Sequence, residues 1–493
     1  MEYVISVDQS TSATKALLFD AQGKLVDSAS VPHKQYYPQP GWVEHDAEEI
    51  YRNTVEAIGR VVKGRQQEGN SFSLALTNQR ETVVVWRRAT GEPVCHAVVW
   101  QCRRGAAICD QLYKDGYGPL VKERSGLLID PYFAGSGAKW ILDNVPGARE
   151  EAERGELCMG TIDSWLIFKL TADHVHATDY TNASRTMLFN IHTLDWDPDL
   201  LKMLTIPRSM MPRPLPCDAV YGQTKVEGLF AEPIKIAGVL GDSHGALAGQ
   251  MCFAEGYGKA TYGTGSSVMV NIGENYADAP DGLVTSVGFS ALGRTYYAFE
   301  GNIHSTGATL EWIKNRLGLI GDVAELEPLA NSVPDNGGVY LVPAFNGLGA
   351  PWWNDKVKGV ICGLTLASTK AHVCRAALES IAYQVTDLIG AMTRKAGIAL
   401  REVRVDGGPT HNRFLMQMQA DLLQVPVVRS TVQDASAFGA FVMNRFALKT
   451  WSSMAEAEAA WTGDAPLQPA HSAADMAQAY EGWHEAVKQL LKE

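Results

Sequence analysis

The sequence lacks several signatures that would decide its chemistry at once. Its eight cysteines include no CxxC pair, and no histidine lies at zinc-ligand spacing. This excludes the usual zinc modules and dithiol redox motifs. Cys95, Cys102 and Cys109 recur at seven-residue intervals, but they read as scattered reduced thiols of a cytoplasmic protein. No run of about 18 uninterrupted apolar residues occurs, and the start, "MEYVISVDQS", has no basic region, apolar core or cleavage site. The expectation is a soluble cytoplasmic chain. Cationic excess is also missing: 43 Lys and Arg stand against 55 Asp and Glu, a formal net charge of −12. That argues against nucleic-acid or membrane partners, while a few local cations still suffice for an anionic substrate. There is no GxxxxGK[ST] loop, HExxH or EF-hand loop, and no Ser-His-Asp or Cys-His order stands out.

What is present is ordinary for a folded enzyme: 493 residues, 46% hydrophobic and 20% charged. That length suggests two to four domains, and large α/β domains push the number toward two. The chain opens as a meander, "YVISVD", "QSTSAT", "KALLFD", the turn "AQGK" and "LVDSASV". Residues 147–170 read as helical. After residue 236 the pattern restarts. "GKATYGTGSSVMVNIG" is again strand, small-residue turn, strand, and "KAHVCRAALESIAYQVTDLIGAMTRKAG", "NRFLMQMQADLLQV" and "ASAFGAFVMNRFAL" have helical apolar spacing. The tail beyond about residue 452 reads as a covering helix without chemistry.

Five short stretches carry candidate chemistry, and each has a plain structural alternative. In "VDQSTSATK" a strand ends at Asp8, Ser10, Thr11 and Ser12 follow, and Lys15 opens the return strand. It is either a polar hairpin or a turn whose N–H groups and hydroxyls face an anion, with Asp8 reaching a hard cation through water. "TYGTGSS" places Gly263 and Gly265 around Thr264, a turn that admits close backbone approach to phosphate. "VDGGPTHN" offers Gly407 and Gly408 as a slot for a base or sugar, or simply a turn with Asn412 as helix cap. Arg80 and Glu81 in "NQRETVVVW" are either a surface ion pair or a donor and acceptor for successive hydroxyls. Finally, "IAGVLGDSHGAL" ends a strand on Gly-Asp before a small-residue helix, so Asp242 is a cap or a catalytic carboxylate. His244 is a candidate base by residue type alone.

In this order the stretches resemble the FGGY carbohydrate kinases, most closely the glycerol kinase branch. The likeness runs from "DQSTSATK" to about residue 445, through "QPGWVEHDAEEIY", "VVWQCRR", "DPYFAGSGAKWILDNV", "DYTNASRTMLFNIHTLDWD" and "VYLVPAFNGLGAPWW". It implies an α/β fold of two actin-like ATPase (ribonuclease-H-like) domains with a catalytic cleft between them. Residues 1–236 would bind the polyol and carry the first phosphate loop, and residues 237–493 would bind the nucleotide. The resemblance implies that Asp242 is the base as well as the cap. Arg80, Glu81, Tyr132 and Trp100 would hold substrate. Thr11, Ser12, Ala13, Lys15, Thr264, Gly307, Glu311, Gly408 and Asn412 would hold ATP. Mg²⁺ would sit near Asp8 and Asp242 through water, and a homo-oligomer, dimer or tetramer, is expected.

The chain also departs from that branch. Ser243 stands where Gln is usual, and Ser267 where a Phe presses on the substrate carbons. Ile303, His304 and Ser305 replace an apolar trio, and Asn302 replaces a small residue. The substrate wall is therefore expected to be wider and wetter, which keeps a four- or five-carbon polyol or ketose open beside glycerol. "KVEGLFAEPIKI" lacks the Gly-Gly-x-Arg element that binds fructose 1,6-bisphosphate in some relatives, and no histidine lies between residues 220 and 235. An actin-like switch or filament protein is the alternative of another class, and the Arg80–Glu81 pair argues against it.

Overall fold

Two six-stranded sheets carry the chain in the computed structural model, which describes residues 1–354 and 356–492. The first sheet contains β1 (Glu2–Gln9), β2 (Ala13–Asp20), β3 (Leu25–Pro32), β4 (Ser71–Asn78), β5 (Val220–Thr224) and β6 (Ile234–Gly241), in the order β5-β6-β4-β1-β2-β3. The second contains β7 (Tyr257–Tyr262), β8 (Ser266–Gly273), β9 (Val284–Ala291), β10 (Arg294–Ile303), β11 (Glu402–Asp406) and β12 (Val427–Arg429), in the order β9-β10-β8-β7-β11-β12. In each sheet an opening antiparallel meander continues into two parallel strands: β3-β2-β1-β4-β6 in one, β10-β8-β7-β11-β12 in the other. This is a duplicated ribonuclease-H-like arrangement. The two small-residue turns, residues 10–12 and 263–265, occupy the same place in each copy. Strands β1 and β4 are buried on both faces over most of their length, as parallel neighbours under helical cover require.

The expected division after residue 236 falls within β6, whose pairing with β4 runs from Lys235↔Ser73 to Gly241↔Asn78. A late helix also returns to the first sheet. Helix α1 (Ala47–Val62) covers β1 to β3, α2 (Asp242–Gly249) follows β6, and α3 (Gly307–Asn315) follows β10. Helices α4 (Lys370–Ala396) and α5 (Arg413–Leu423) cover the second sheet. Helix α6 (Ala435–Ala447) packs against α2, β1, β4 and β6. There, Asn444 Nδ2 donates to the carbonyl of Ala237 at 2.8 Å, and Ser73 Oγ donates to Asn444 Oδ1 at 2.9 Å. The α2–α6 crossing is backbone on backbone. A Cβ at Gly249 would stand 1.9 Å from the Ala435 oxygen, and one at Gly439 would stand 2.0 Å from the Gly245 oxygen.

One expected helix is interrupted. Residues 147–170 form a helix (Ala148–Glu153), a strand (Leu157–Thr161) and a second helix (Ile162–Leu170). The strand is wholly buried and pairs with Val83–Arg87. Periodicity alone does not separate so short an apolar strand from a buried helical turn. The tail helix Ala473–Leu491 covers α4, and Asp387 accepts from Tyr480 Oη at 2.5 Å and Trp483 Nε1 at 2.8 Å. Among the described residues, no helix is long and apolar enough to cross a membrane.

Candidate active site in the cleft

Strands β4 and β6 run parallel and end side by side, with Gly241 opposite Asn78. The chain leaving β4 supplies Arg80 and Glu81, and the chain leaving β6 supplies Asp242. Carboxyl ends of parallel strands are where α/β folds place their ligands. Asp242 is the first residue of α2, but it is not the cap. Gly241 holds that position without a side-chain bond, and Asp242 Oδ1 accepts from the adjacent Ser243 N–H at 2.6 Å. The capping expectation fails because the helix begins one residue earlier, and the carboxylate projects into the cleft. Its charge still suits the helix N-terminus. Arg80 Nε lies 3.0 Å from Asp242 Oδ1, an ion pair without a well-directed hydrogen bond. Gly241 makes room for it: a Cβ there would stand 2.3 Å from Arg80 Cγ.

Behind this contact lies a buried charge network. Arg80 donates through Nη1 and Nη2 to Glu300, at 2.8 and 2.7 Å. Arg185 Nη1 is 2.9 Å from the same carboxylate, and Arg185 Nε donates to Glu81 at 2.7 Å. All four side chains are almost fully buried, which rules out the surface-pair reading of Arg80 and Glu81. Burial pushes the Glu300 carboxyl upward, yet Arg185 and Arg80 outweigh it and hold the group well below its ordinary range. The alternation Asp–Arg–Glu–Arg–Glu fixes the guanidinium that meets Asp242. Removing one partner from such a buried set costs about 3–5 kcal/mol.

Sequence reasoning missed Arg185 and Glu300. The available signal was a lone glutamate inside the apolar strand "YYAFEGNI", since a charge buried there needs partners.

Two cavities share the cleft. One, of about 880 Å³, is lined by Arg80, Glu81, Trp100, Tyr132, Asp242, Ser243 and Ser267, so the expected substrate residues converge. Trp100 and Tyr132 meet edge to face with centroids 5.6 Å apart. The other, of about 1260 Å³, is lined by Thr264, Gly307, Glu311, Gly408 and Asn412, together with Trp312 and Phe345. Gly263 borders both. Gly407 holds φ at 97°, where a Cβ would stand 1.9 Å from the Tyr262 oxygen, whereas Gly408 has open space before it. Asn412 lines the cavity, and its Oδ1 caps α5 by accepting from Leu415 N–H at 2.9 Å.

The first hairpin turn lies elsewhere in the cleft. Thr11 lines the smaller cavity, and its hydroxyl accepts from Trp100 Nε1 at 2.9 Å. Ser12, Ala13 and Lys15 line neither cavity. Lys15 Nζ bridges Asp8 at 3.3 Å and Asp434 at 3.0 Å, joining β2 to the start of α6. Burial, then Asp434, with Asp242 contributing, pushes the Asp8 carboxyl up to about 8. Among the described residues no group of three or more His, Cys, Asp or Glu side chains is gathered to ligate a metal directly, so a hard divalent cation near Asp8 and Asp242 would be held through water. His244 is fully buried with Nε2 3.0 Å from Ser286 Oγ, and burial followed by Arg80 keeps its ring neutral.

The second sheet adds a polar row to the cleft floor. Register places Asn302 opposite Ser267, Ser267 opposite Thr261, and Thr261 opposite Asp406. Behind the row, the buried Lys259 ammonium donates to Ser267 Oγ at 3.1 Å and Thr261 Oγ1 at 3.5 Å. Lys259 is a further residue that sequence reasoning missed.

Comparison with known proteins agrees with this architecture. The N-terminal domain of the FGGY family of carbohydrate kinases matches residues 3–249, and the family's C-terminal domain matches residues 258–448. Glycerol kinase 1 of Thermotoga maritima is 49% identical over 494 aligned residues, covering 100% of both chains. Glycerol kinase 2 of the same organism is 46% identical over 493 residues, covering 100% of this chain and 99% of the relative. Among solved structures, Plasmodium falciparum glycerol kinase with ADP superimposes with a TM-score of 0.95 at 31% identity, covering 100% of this chain and 98% of that one. A xylulose kinase from Lactobacillus acidophilus shares the fold, with a TM-score of 0.89 at 20% identity and 100% and 99% coverage. Strand order, cleft and sequence lead to one assignment: the chain belongs to the FGGY family of carbohydrate kinases.

Proposed function

We propose that the protein transfers the γ-phosphoryl group of ATP to a terminal hydroxyl of glycerol, giving glycerol 3-phosphate and ADP. The observation that carries this reading is the placement of Asp242. It stands in the smaller cavity, paired with Arg80, and that cavity meets the larger one at Gly263. The similar glycerol kinases support the choice of substrate. Asp242 takes the hydroxyl proton as that oxygen bonds to the γ-phosphorus and the bond to the β-phosphate oxygen breaks. Arg80 donates and Glu81 accepts at the substrate hydroxyls, Tyr132 adds a phenol, and Trp100 forms an apolar wall. Thr264, Gly307, Glu311, Gly408 and Asn412 line the nucleotide side. Thr11, Ser12, Ala13 and Lys15 face the phosphates once Lys15 exchanges a carboxylate for them. Asp8 and Asp242 would hold Mg²⁺ through water, and the ion would supply charge neutralisation at the transferred group. We place the domain division between residues 249 and 258, in the gap between the two family matches. A cytoplasmic setting agrees with eight free cysteines.

A second reading, phosphorylation of a four- or five-carbon polyol or ketose, is favoured by the row Asn302–Ser267–Thr261 with Lys259 behind it. Asn302, Ser267 and Thr261 line the same cavity as Arg80 and Glu81, and their side chains offer hydrogen bonds to hydroxyls that a longer substrate carries and glycerol lacks. One experiment tests both readings. ADP release is measured across C3 to C6 polyols and ketoses for the wild type and Asp242→Asn. The first reading expects glycerol to lead and the variant to lose on the order of 10²–10⁴ in kcat while still binding substrate. A longer substrate with far higher kcat/KM selects the second reading, and undiminished turnover by Asp242→Asn removes the base from both.

A further inference from the structure

We infer that Thr181 is a positioning residue for Asp242, and that it acts through a buried hydrogen-bonded belt joining the ends of β4 and β6. The inference rests on the reading of Asp242 as the base.

The belt starts at Gly241, the residue before Asp242, whose N–H donates to Thr181 Oγ1 at 2.9 Å. The Thr181 hydroxyl in turn donates to Asp179 Oδ2 at 2.6 Å, so its hydrogen is committed and its lone pair faces Gly241. Asp179 Oδ1 accepts from Asn182 N at 3.0 Å and Asn182 Nδ2 at 2.7 Å. Asn182 and Asn78 then exchange a reciprocal pair of amide bonds, at 2.9 and 3.0 Å. Asn78 closes β4, and its Nδ2 also donates to the Gln79 carbonyl at 3.0 Å, one residue before Arg80. All four side chains are fully buried, and none lines either cavity.

Capping alone does not account for this arrangement. Asp179 is the N-cap of the short helix Tyr180–Ala183, and two backbone N–H groups satisfy that role. The hydroxyl link to Gly241 and the amide pair to Asn78 are additional, and they run between the two strand ends that carry base and guanidinium. A displacement of about 1 Å at a reacting group can cost on the order of 10² in rate, so a brace on the residue before the base has a catalytic consequence.

The test uses the full-length enzyme with the polyol that the substrate survey identifies. T181V preserves shape and removes the hydroxyl. We expect kcat to fall about 10–100-fold while KM for polyol and nucleotide stays within about threefold. T181S, which restores the hydroxyl, should recover kcat to within about threefold of wild type. The decisive measurement repeats T181V in a D242N background, where a residue acting through Asp242 produces less than about a twofold further loss. Should T181V fail to fold, T181C fills the same space with a weak donor and gives the same comparison. Equal losses in both backgrounds, or a T181V enzyme with wild-type kcat, overturns the inference. A D242N enzyme at full speed instead overturns the reading of the base.

Discussion

Asp163 is a carboxylate that the proposed chemistry does not use. It is fully buried, and it accepts from Thr178 Oγ1 at 2.7 Å and from Thr161 Oγ1. Burial, reinforced by Asp179, pushes its pKa from an ordinary 3.8 up to about 7. Between those two values the folded chain holds a proton that the unfolded chain has lost. Stability from this group is therefore complete below the lower value and declines as pH rises through the upper one, with a limiting slope of about 1.4 kcal/mol per pH unit. Asp163→Asn should flatten the dependence of denaturant midpoint on pH between about 4 and 7, and an unchanged slope in urea titrations would assign it to another group. Other residues show what the sequence could and could not disclose. Asp242, Arg80 and Glu81 lie in short contiguous stretches whose residue types already suggest chemistry. Glu300 lies 220 residues from the Arg80 it pairs with, and no local pattern encodes such a distance.

At the scale of elements, strands and turns followed local rules closely. The meander after "YVISVD" and its echo at "GKATYGTGSS" form as their turn residues dictate, and α4, α5 and α6 follow apolar spacing. The strand Leu157–Thr161 did not, because its identity comes from its neighbour Val83–Arg87 and not from its own period. The start of α2 was also illegible, since Gly241 and Asp242 are both acceptable at a helix beginning. The α2–α6 crossing depends on side chains being absent. Gly439→Val would drive atoms into the Gly245 carbonyl, already 2.0 Å from a bare Cβ. Overpacking of this kind costs about 1–3 kcal/mol or more. We expect a lowered thermal midpoint together with reduced kcat, because α2 carries Asp242 and Asp434 opens α6. Loss of stability with unaltered kcat would separate the crossing from the site.

At the scale of the molecule, each half contributes what the other lacks. The first sheet brings Arg80 and Glu81, and the second brings Glu300 to hold Arg80 and Gly263 to border both cavities. The duplicated sheet order was legible in outline as a pattern that restarts. The return of α6 to the first sheet was not, since nothing local says which sheet a late amphipathic helix will cover. The ion pairs of Lys15 with Asp8 and Asp434 also tie distant parts of the chain, but the lysine is 43% exposed and adds little to stability.

That shared border at Gly263 has a cost in fidelity. Under the proposed phosphoryl transfer, an oxygen that enters the smaller cavity beside Asp242 would face the phosphorus, and the commonest oxygen in a cell belongs to water. With no alcohol in place, solvent in the 880 Å³ chamber is the default acceptor, so a slow futile ATPase should be measurable as phosphate release and should fall as alcohol fills the chamber.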